Sequence, residues 1–539
     1  MAKASQTGGK TLKTVDKKKD AAPASAAPGR AFDPYLRLAL WFTLALTVLR
    51  LTVLFVTPLE LHPDEAQYWL WSRRLDLGYF SKPPLIAWII AATTAIGGNE
   101  EAWVRLGGPF LHAAAGLLLF FVGRRLYTPA VGLMACAIYN LMPGVQLSSL
   151  VISTDAPLLA LLSAALLTYV HLPRPADKRS IARAALLGAA LGAAALAKYA
   201  AIYALAGIAL HYLVERDARK AWSPAAAAAA IAAFAVVLAP NLAWNAAHKF
   251  ATLSHTAENA HWTPGSMFNP GELLQFLATQ PGVFGPVPFG ILIAGLIIFR
   301  LRGLTGADRL LLCWVAPPIL IVSLQALLSR ANANWAGAAY PAAAILAAAW
   351  LTRWRAKGWT IAALATQAGI VLFLVVCAVR PDLADRIGAA NAFKRSRGWD
   401  STVDSLIARA RDEQRGQGLS AVALDDRFLF NAAAYYGRDY FRHLGAPPLT
   451  MWMRRPTANN QAEAESPLVP TLGRRVLAAS YEGWYAPEMA ADFKAVSGRE
   501  VLRVRLDAKN HRRVEMFVGE GFAPLKRDPV TGLPPNYRP

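Results

Sequence analysis

Only three of the 539 residues are cysteine, and Cys136, Cys313 and Cys377 all lie inside apolar runs. Neither a disulfide framework nor a CxxC zinc site follows from them. Charge is scarce at 17% while 55% of residues are hydrophobic, which excludes a single ordinary soluble globule. No P-loop, Rossmann glycine pattern or internal repeat is present, so a nucleotide-driven pump has no sequence support. Acids are also few, 35 against 56 Lys and Arg, giving a net charge of +21. In a soluble chain that excess would point to nucleic acid. Here much of it sits in short loops between apolar runs, where it sets membrane topology, and no nucleic-acid partner is expected.

What the sequence does have is a succession of apolar stretches near the length that crosses a bilayer. The first runs from about Tyr35 to Thr57 and reads as a retained helix rather than a cleaved leader. Ten more are predicted at 106–123, 129–149, 156–172, 181–197, 199–214, 222–244, 283–300, 308–328, 335–352 and 359–379, giving about eleven transmembrane helices. Residues 83–98 are apolar but short and bounded by Pro-Pro and Gly-Gly, which reads as an interfacial or partly embedded helix. With the N-terminus in the cytoplasm, every loop assigned to that side is basic, and the opposite loops carry acids, His, Trp and Asn with few cations. Four regions follow. Residues 1–33, with Lys17 to Lys19, read as a disordered basic cytoplasmic tail, and 34–380 as the transmembrane domain. Residues 381–528 read as a small soluble α/β domain on the periplasmic side, with a helix near 403–415, a strand at 421–426 and a helix at 428–436. Residues 454–466 read as loop and 529–539 as tail.

The outer loops deliver Asp64, Glu65, Lys82, Asp155, Lys198, His255, His261, Asn332 and Asn334 to one membrane face. Ionisable groups at the mouth of a helix bundle require partners or a water-filled cavity, so they imply a polar pocket there. Each also has a plain structural reading. Asp64 and Glu65 follow Pro63 and suit the positive end of a helix; alternatively one of them is a carboxylate that accepts a hydroxyl proton or holds a cation. They diverge by about 100° on a helix, so they do not share one task. Lys82 either snorkels or meets a lipid phosphate, Asp155 either caps a helix or serves the site, and Lys198 either marks a turn or contacts phosphate. His255 and His261 are six apart, which does not suit two ligands on one helical face. Trp335 is either an interfacial anchor or a platform for a sugar. Gly188, Gly192 and Ala195, with the alanines of 225–233, are read as close helix packing.

In order along the chain, HPDEAQYW, GYFSKPPL, the GRRLY turn, STDAPLL, ALAKYAAIY and ANANWAGAAYP resemble the bacterial polytopic glycosyltransferases of the C-type fold, the relatives of protein O-mannosyltransferases and the lipid A aminoarabinose transferase. The resemblance covers roughly residues 35–400. It implies an enzyme that takes a sugar from a polyprenyl-phosphate donor to a lipid, glycan or protein acceptor at the periplasmic face of a bacterial inner membrane. It assigns Asp64 as general base, Lys82 as a donor-phosphate contact and Asp155 as a second acidic site residue. Lys198 is a further phosphate contact, and Glu65, His255, Asn334 and Trp335 are candidate acceptor, sugar or metal contacts. A divalent cation held by Asp64, Glu65 or His255 is the one cofactor expected. Two positions depart from the pattern: Ser81 stands where relatives carry an acid, and Gln67 where the aminoarabinose transferase has an arginine. The alternative from another class is a polytopic transporter or lipid flippase, for which repeated halves and midplane sites would be the signature.

Overall fold

A computed structural model of the protein describes residues 33–260, 267–299, 303–529 and 531–533. The expected N-terminal tail up to residue 32, His261, and most of the tail after Pro529 lie outside the described residues. The chain forms a helical, polytopic membrane bundle followed by a small domain built on one five-stranded sheet. Among the described residues seven helices are long and apolar enough to cross a membrane, or nine if each of two bent pairs is one span. Those nine and the shorter helices Asp155–Val170 and Tyr199–Val214 take up all eleven predicted segments.

The differences from expectation lie in the breaks. Segment 129–149 is two helices, Pro129–Asn140 and Pro143–Leu150, bent by 54° where Pro143 begins the second. The predicted outer loop 245–282 contains the helices Ala251–Glu258 and Pro270–Phe284. The second of these meets Pro286–Phe299 at 115° around Gly285, whose φ of 109° is open to glycine at little cost. Gln280 fixes this corner, donating to the Ala333 carbonyl while the Tyr340 hydroxyl donates to its oxygen.

Helix α1 (Pro34–Val56) is capped by Asp33, and its buried Arg50 reaches Gln146 at 3.2 Å and Asn140 at 3.3 Å. A cation on an intramembrane helix thus has its donors satisfied in the bundle interior. The helices Lys178–Ala197 and Pro224–Ala247 touch backbone to backbone: a Cβ at Gly188 would overlap the Ala230 carbonyl. At the loop face rich in arginine, Arg353 pairs with Asp308 at 2.7 Å and Arg309 with Glu215 at 2.7 Å.

At the opposite ends of the bundle, α2 (Pro63–Ser72) starts with a capping box in which His62 and Glu65 satisfy each other's backbone amides. Its Pro63 is at the first helical position, as the sequence predicts. Glu65 has no exposure, and both its oxygens accept from Arg105, at 3.0 and 2.9 Å. Arg105 also donates to the Leu59 and Glu60 carbonyls, and Glu65 takes the Ile152 amide at 2.8 Å. Helix α3 (Leu85–Gly97) is the short apolar segment after the two prolines.

The sheet domain begins with the helix Trp399–Gly416, launched from Gly398 at φ 72°. Strand β1 (Ala421–Leu424) is flanked by parallel β2 (Leu449–Met451) and β3 (Arg475–Tyr481), while β5 (His511–Phe522) runs antiparallel to β3 and to the edge strand β4 (Phe493–Arg505). The order is β2-β1-β3-β5-β4. The helix Arg427–Tyr436, started by the Asp426 side chain, lies against α2, with Tyr435 edge-on to Trp69 at 4.9 Å and the Tyr436 hydroxyl donating to Glu101. The sheet domain is thereby clamped onto the segment that carries Asp64.

Removing one partner of a fully buried ion pair strands the other. Arg105→Met is therefore expected to cost about 3 kcal/mol or more. Thermal unfolding in detergent checks this; an unchanged midpoint would mean the pair does not hold α2.

Candidate active site

Asp64 and Glu65, adjacent in sequence, face opposite ways. Glu65, expected as an acceptor or metal contact, is instead spent inside the protein on Arg105 and two backbone amides. Asp64 is left at the surface of α2 with its side chain 43% exposed. Its Oδ1 accepts from Arg427 at 3.1 Å, and the same guanidinium nitrogen reaches Gln67 Oε1 at 2.6 Å. His62 Nδ1 lies 4.0 Å from the carboxylate.

Asp155 opens the helix Asp155–Val170, but it does not cap it. Its two oxygens accept from Lys198 Nζ at 2.7 Å and Asn334 Nδ2 at 2.8 Å. Three residues predicted from separate outer loops therefore meet at one carboxylate. Lys198 ends the helix Lys178–Ala197 in an extended conformation, which turns its side chain toward the neighbouring helix start.

Lys82 joins the two halves. Burial lowers its affinity for a proton, Lys198 and Arg427 push in the same direction, and Asp64 and Asp155 oppose them. Its ammonium thus sits within electrostatic reach of both acids. Among the described residues it has no carboxylate within 4.0 Å, because Asp64 is taken by Arg427 and Asp155 by Lys198. The turn that presents it is rigid: Tyr79 stacks on Trp71 at 4.7 Å, donates its amide to the Lys82 carbonyl, and accepts from Thr252 Oγ1 at 2.7 Å.

Burial pushes the Asp64 carboxyl up, but Arg427, His62 and Lys82 outweigh it and hold the group below its ordinary value. His255 lies edge-on to Phe80 at 5.9 Å, and burial with nearby Lys82 and Arg427 lowers it to about 4. It is a neutral imidazole at pH 7. Tyr68, buried between Asp64 and Asp155, is held well above the ordinary phenol value by burial and those two charges. Trp335, read as either an interfacial anchor or a sugar platform, is half-buried against the cluster of Phe276, Val322 and Ala326. Among the described residues no three His, Cys, Asp or Glu side chains come together to hold a metal ion. Of the three expected cation contacts, Glu65 is turned inward onto Arg105.

Sequence reasoning missed Arg427, Gln67, Tyr68 and His62. Gln67 was legible only as a departure from a motif. Arg427 lies 363 positions from Asp64, in a domain whose composition says nothing of the site.

The chain matches the family described as dolichyl-phosphate-mannose-protein mannosyltransferase over residues 81–244. It is 40% identical over 318 residues, 58% of its own length, to a lipid A galacturonosyltransferase, RgtD, of Rhizobium johnstonii, and the match spans 65% of that relative's length. Its fold is that of ArnT from Cupriavidus metallidurans. The apo structure superimposes with a TM-score of 0.62 at 16% identity, over 89% of this chain and 98% of ArnT. The structure bound to undecaprenyl phosphate gives 0.61 at 16% identity, over 90% and 98%. The motifs that carry the resemblance thus lie in a chain with a lipid A galacturonosyltransferase as a sequence relative and with the fold of ArnT.

Lys82 is expected to lose its proton below the ordinary lysine value of 10.5, and Asp64→Asn, which removes a counter-charge, to lower it further. The pH dependence of reductive methylation at Lys82, read by mass spectrometry, checks both; a midpoint at or above the free-lysine value would contradict the arrangement.

Proposed function

We propose that the protein is an inverting glycosyltransferase that moves a sugar from a polyprenyl-phosphate donor to a lipid-borne acceptor. The observation that carries this reading is the juxtaposition of Asp64, Lys82, Asp155 and Lys198 at one end of the helix bundle. Undecaprenyl phosphate in the ArnT structure and lipid A in the name of the Rhizobium relative support the donor carrier and the acceptor class. The site is placed at the periplasmic face of a bacterial inner membrane, with the N-terminus in the cytoplasm. In support, the arginine-rich loops occupy the other ends of the same helices.

In this reaction Asp64 takes the proton of the acceptor hydroxyl as its oxygen attacks the anomeric carbon, and the bond from that carbon to the phosphate oxygen breaks. The leaving phosphate is a stable anion, so no general acid is required, unlike glycoside hydrolysis. Lys82, which among the described residues has no carboxylate within 4.0 Å, receives it. Lys198 joins by exchanging Asp155 for a phosphate oxygen, while Asn334 keeps a hydrogen bond to Asp155. Arg427 keeps Asp64 ionised and aimed. Among the described residues no three His, Cys, Asp or Glu side chains form a metal-binding group, and no step is routed through a cation.

A repeated half or a site on broken helices at the midplane would favour a transporter. The ionisable groups instead cluster at helix ends, which suits a lipid head group.

Reconstituted with labelled polyprenyl-phosphate sugars and membrane lipid extract, the native protein is expected to label the lipid fraction. Loss of a general base typically costs about 10²–10⁴-fold, and Asp64→Asn should fall in that range. Native transfer rates in Asp64→Asn would refute the mechanism. A second expectation concerns pH. The base must be ionised, and its proton affinity is depressed, so the acidic limb of the rate profile should lie below the ordinary Asp value of 3.8. Arg427→Met removes the main counter-charge and leaves burial dominant, which should move that limb upward. A limb that does not move would show that Asp64 is not the titrating base.

A further inference from the structure

A cleft of about 370 Å³ opens between α2 and the sheet domain, with Gln67 and Arg427, which meet next to Asp64, in its wall. Four arginines line it: Arg73 and Arg74 from the end of α2, Arg427, and Arg442 from the sheet domain. Glu465 is the only acid in its wall, and Gln461 donates to it. Arg427 is engaged with Asp64, but among the described residues Arg73, Arg74 and Arg442 have no carboxylate within 4.0 Å.

Two of these cations are seated on one aromatic ring and feel each other's charge. The Arg73 guanidinium lies 5.3 Å and the Arg442 guanidinium 5.5 Å from the centre of the buried Trp69 ring. Arg73 is fixed by neutral acceptors only, the Asn99 side chain at 3.1 Å, Ser72 Oγ at 2.8 Å and Thr94 Oγ1. Burial first and then the charge of Arg442 lower its proton affinity. Like charges gathered without counter-ions on a preorganised frame form a receptor for an anion, and forked guanidinium donors match phosphate oxygens. Three unpaired guanidiniums balance a doubly charged group better than a single carboxylate.

We infer that this cleft binds a phosphate group on the saccharide acceptor, with Arg73, Arg74 and Arg442 as its ligands, so that a hydroxyl of the same head group reaches Asp64 past Arg427. The inference rests on the transferase reading, and it adds to that reading a phosphate subsite formed by these three arginines. Lys82, Lys198 and Asp155, which the proposed reaction assigns to the donor phosphate, are not among its lining residues.

The test is equilibrium binding to the full-length protein in detergent, using a phosphorylated glucosamine disaccharide, the same disaccharide without phosphate, and short-chain polyprenyl phosphate as probes. The phosphorylated disaccharide should bind at least about tenfold tighter than its dephosphorylated form. Arg442→Gln and Arg74→Gln, both exposed positions, should each weaken it about tenfold, Arg442→Lys should restore part of that loss, and polyprenyl phosphate binding should stay unchanged. Equal binding of the two disaccharides, unaltered binding in both variants, or a parallel loss of polyprenyl phosphate would overturn the assignment. Turnover is not needed for the readout. Phosphate-dependent binding in a protein that transfers no sugar would therefore sink the enzymatic reading and leave the anion cleft standing.

Discussion

The ion pair between Glu65 and Arg105 sets the direction of everything near it. By drawing Glu65 inward and bonding the carbonyls of residues 59 and 60, it fixes where α2 begins and how it is rotated. Successive helical side chains are about 100° apart. Once Glu65 is committed to the interior, Asp64 is turned out toward the sheet domain and Lys82. Two neighbouring acids thus acquire different tasks from one rotation. A buried pair of this kind is poor evidence for net stability, but it specifies geometry, because breaking it leaves a charge with no solvent.

The second constraint is charge balance around the crevice. Asp64 and Asp155 are each paired with one cation, and Lys82 feels both acids while, among the described residues, no carboxylate lies within 4.0 Å of it. An anion arriving at Lys82 therefore completes the balance. The cleft that Arg427 helps to line repeats the pattern on a larger scale, with arginines seated on Trp69. In this arrangement the Asp64 carboxylate is near both Lys82 and, through Arg427, the arginine-lined cleft.

Much of this was legible in the residues. The apolar runs gave the helices because length and hydropathy are local properties, and the convergence of Asp155, Lys198 and Asn334 followed from counting loop parity. The corner at Gly285 was not legible, since Pro281 and Gly285 within an apolar stretch look alike whether the chain continues or doubles back. Asp155 read equally as a cap, and only the positions of Lys198 and Asn334 distinguish the two. Glu65 and Asp64 were separable in principle by the helical angle, but which of them faces inward depends on Arg105, 40 residues away. Arg427 was beyond reach altogether. Gln67, a departure from the aminoarabinose transferase pattern where an arginine is expected, is the residue that Arg427 contacts, so the guanidinium enters the site from the other domain.

The central claim is that Lys82 and Lys198 receive the phosphate that the Asp64 reaction releases. A structure of the protein with a polyprenyl-phosphate sugar analogue tests it most directly. The account predicts the phosphate in contact with Lys82, the Lys198–Asp155 pair opened toward it, and the anomeric carbon facing Asp64. A phosphate seated among Arg73 and Arg442, with Lys198 still bound to Asp155, would contradict it.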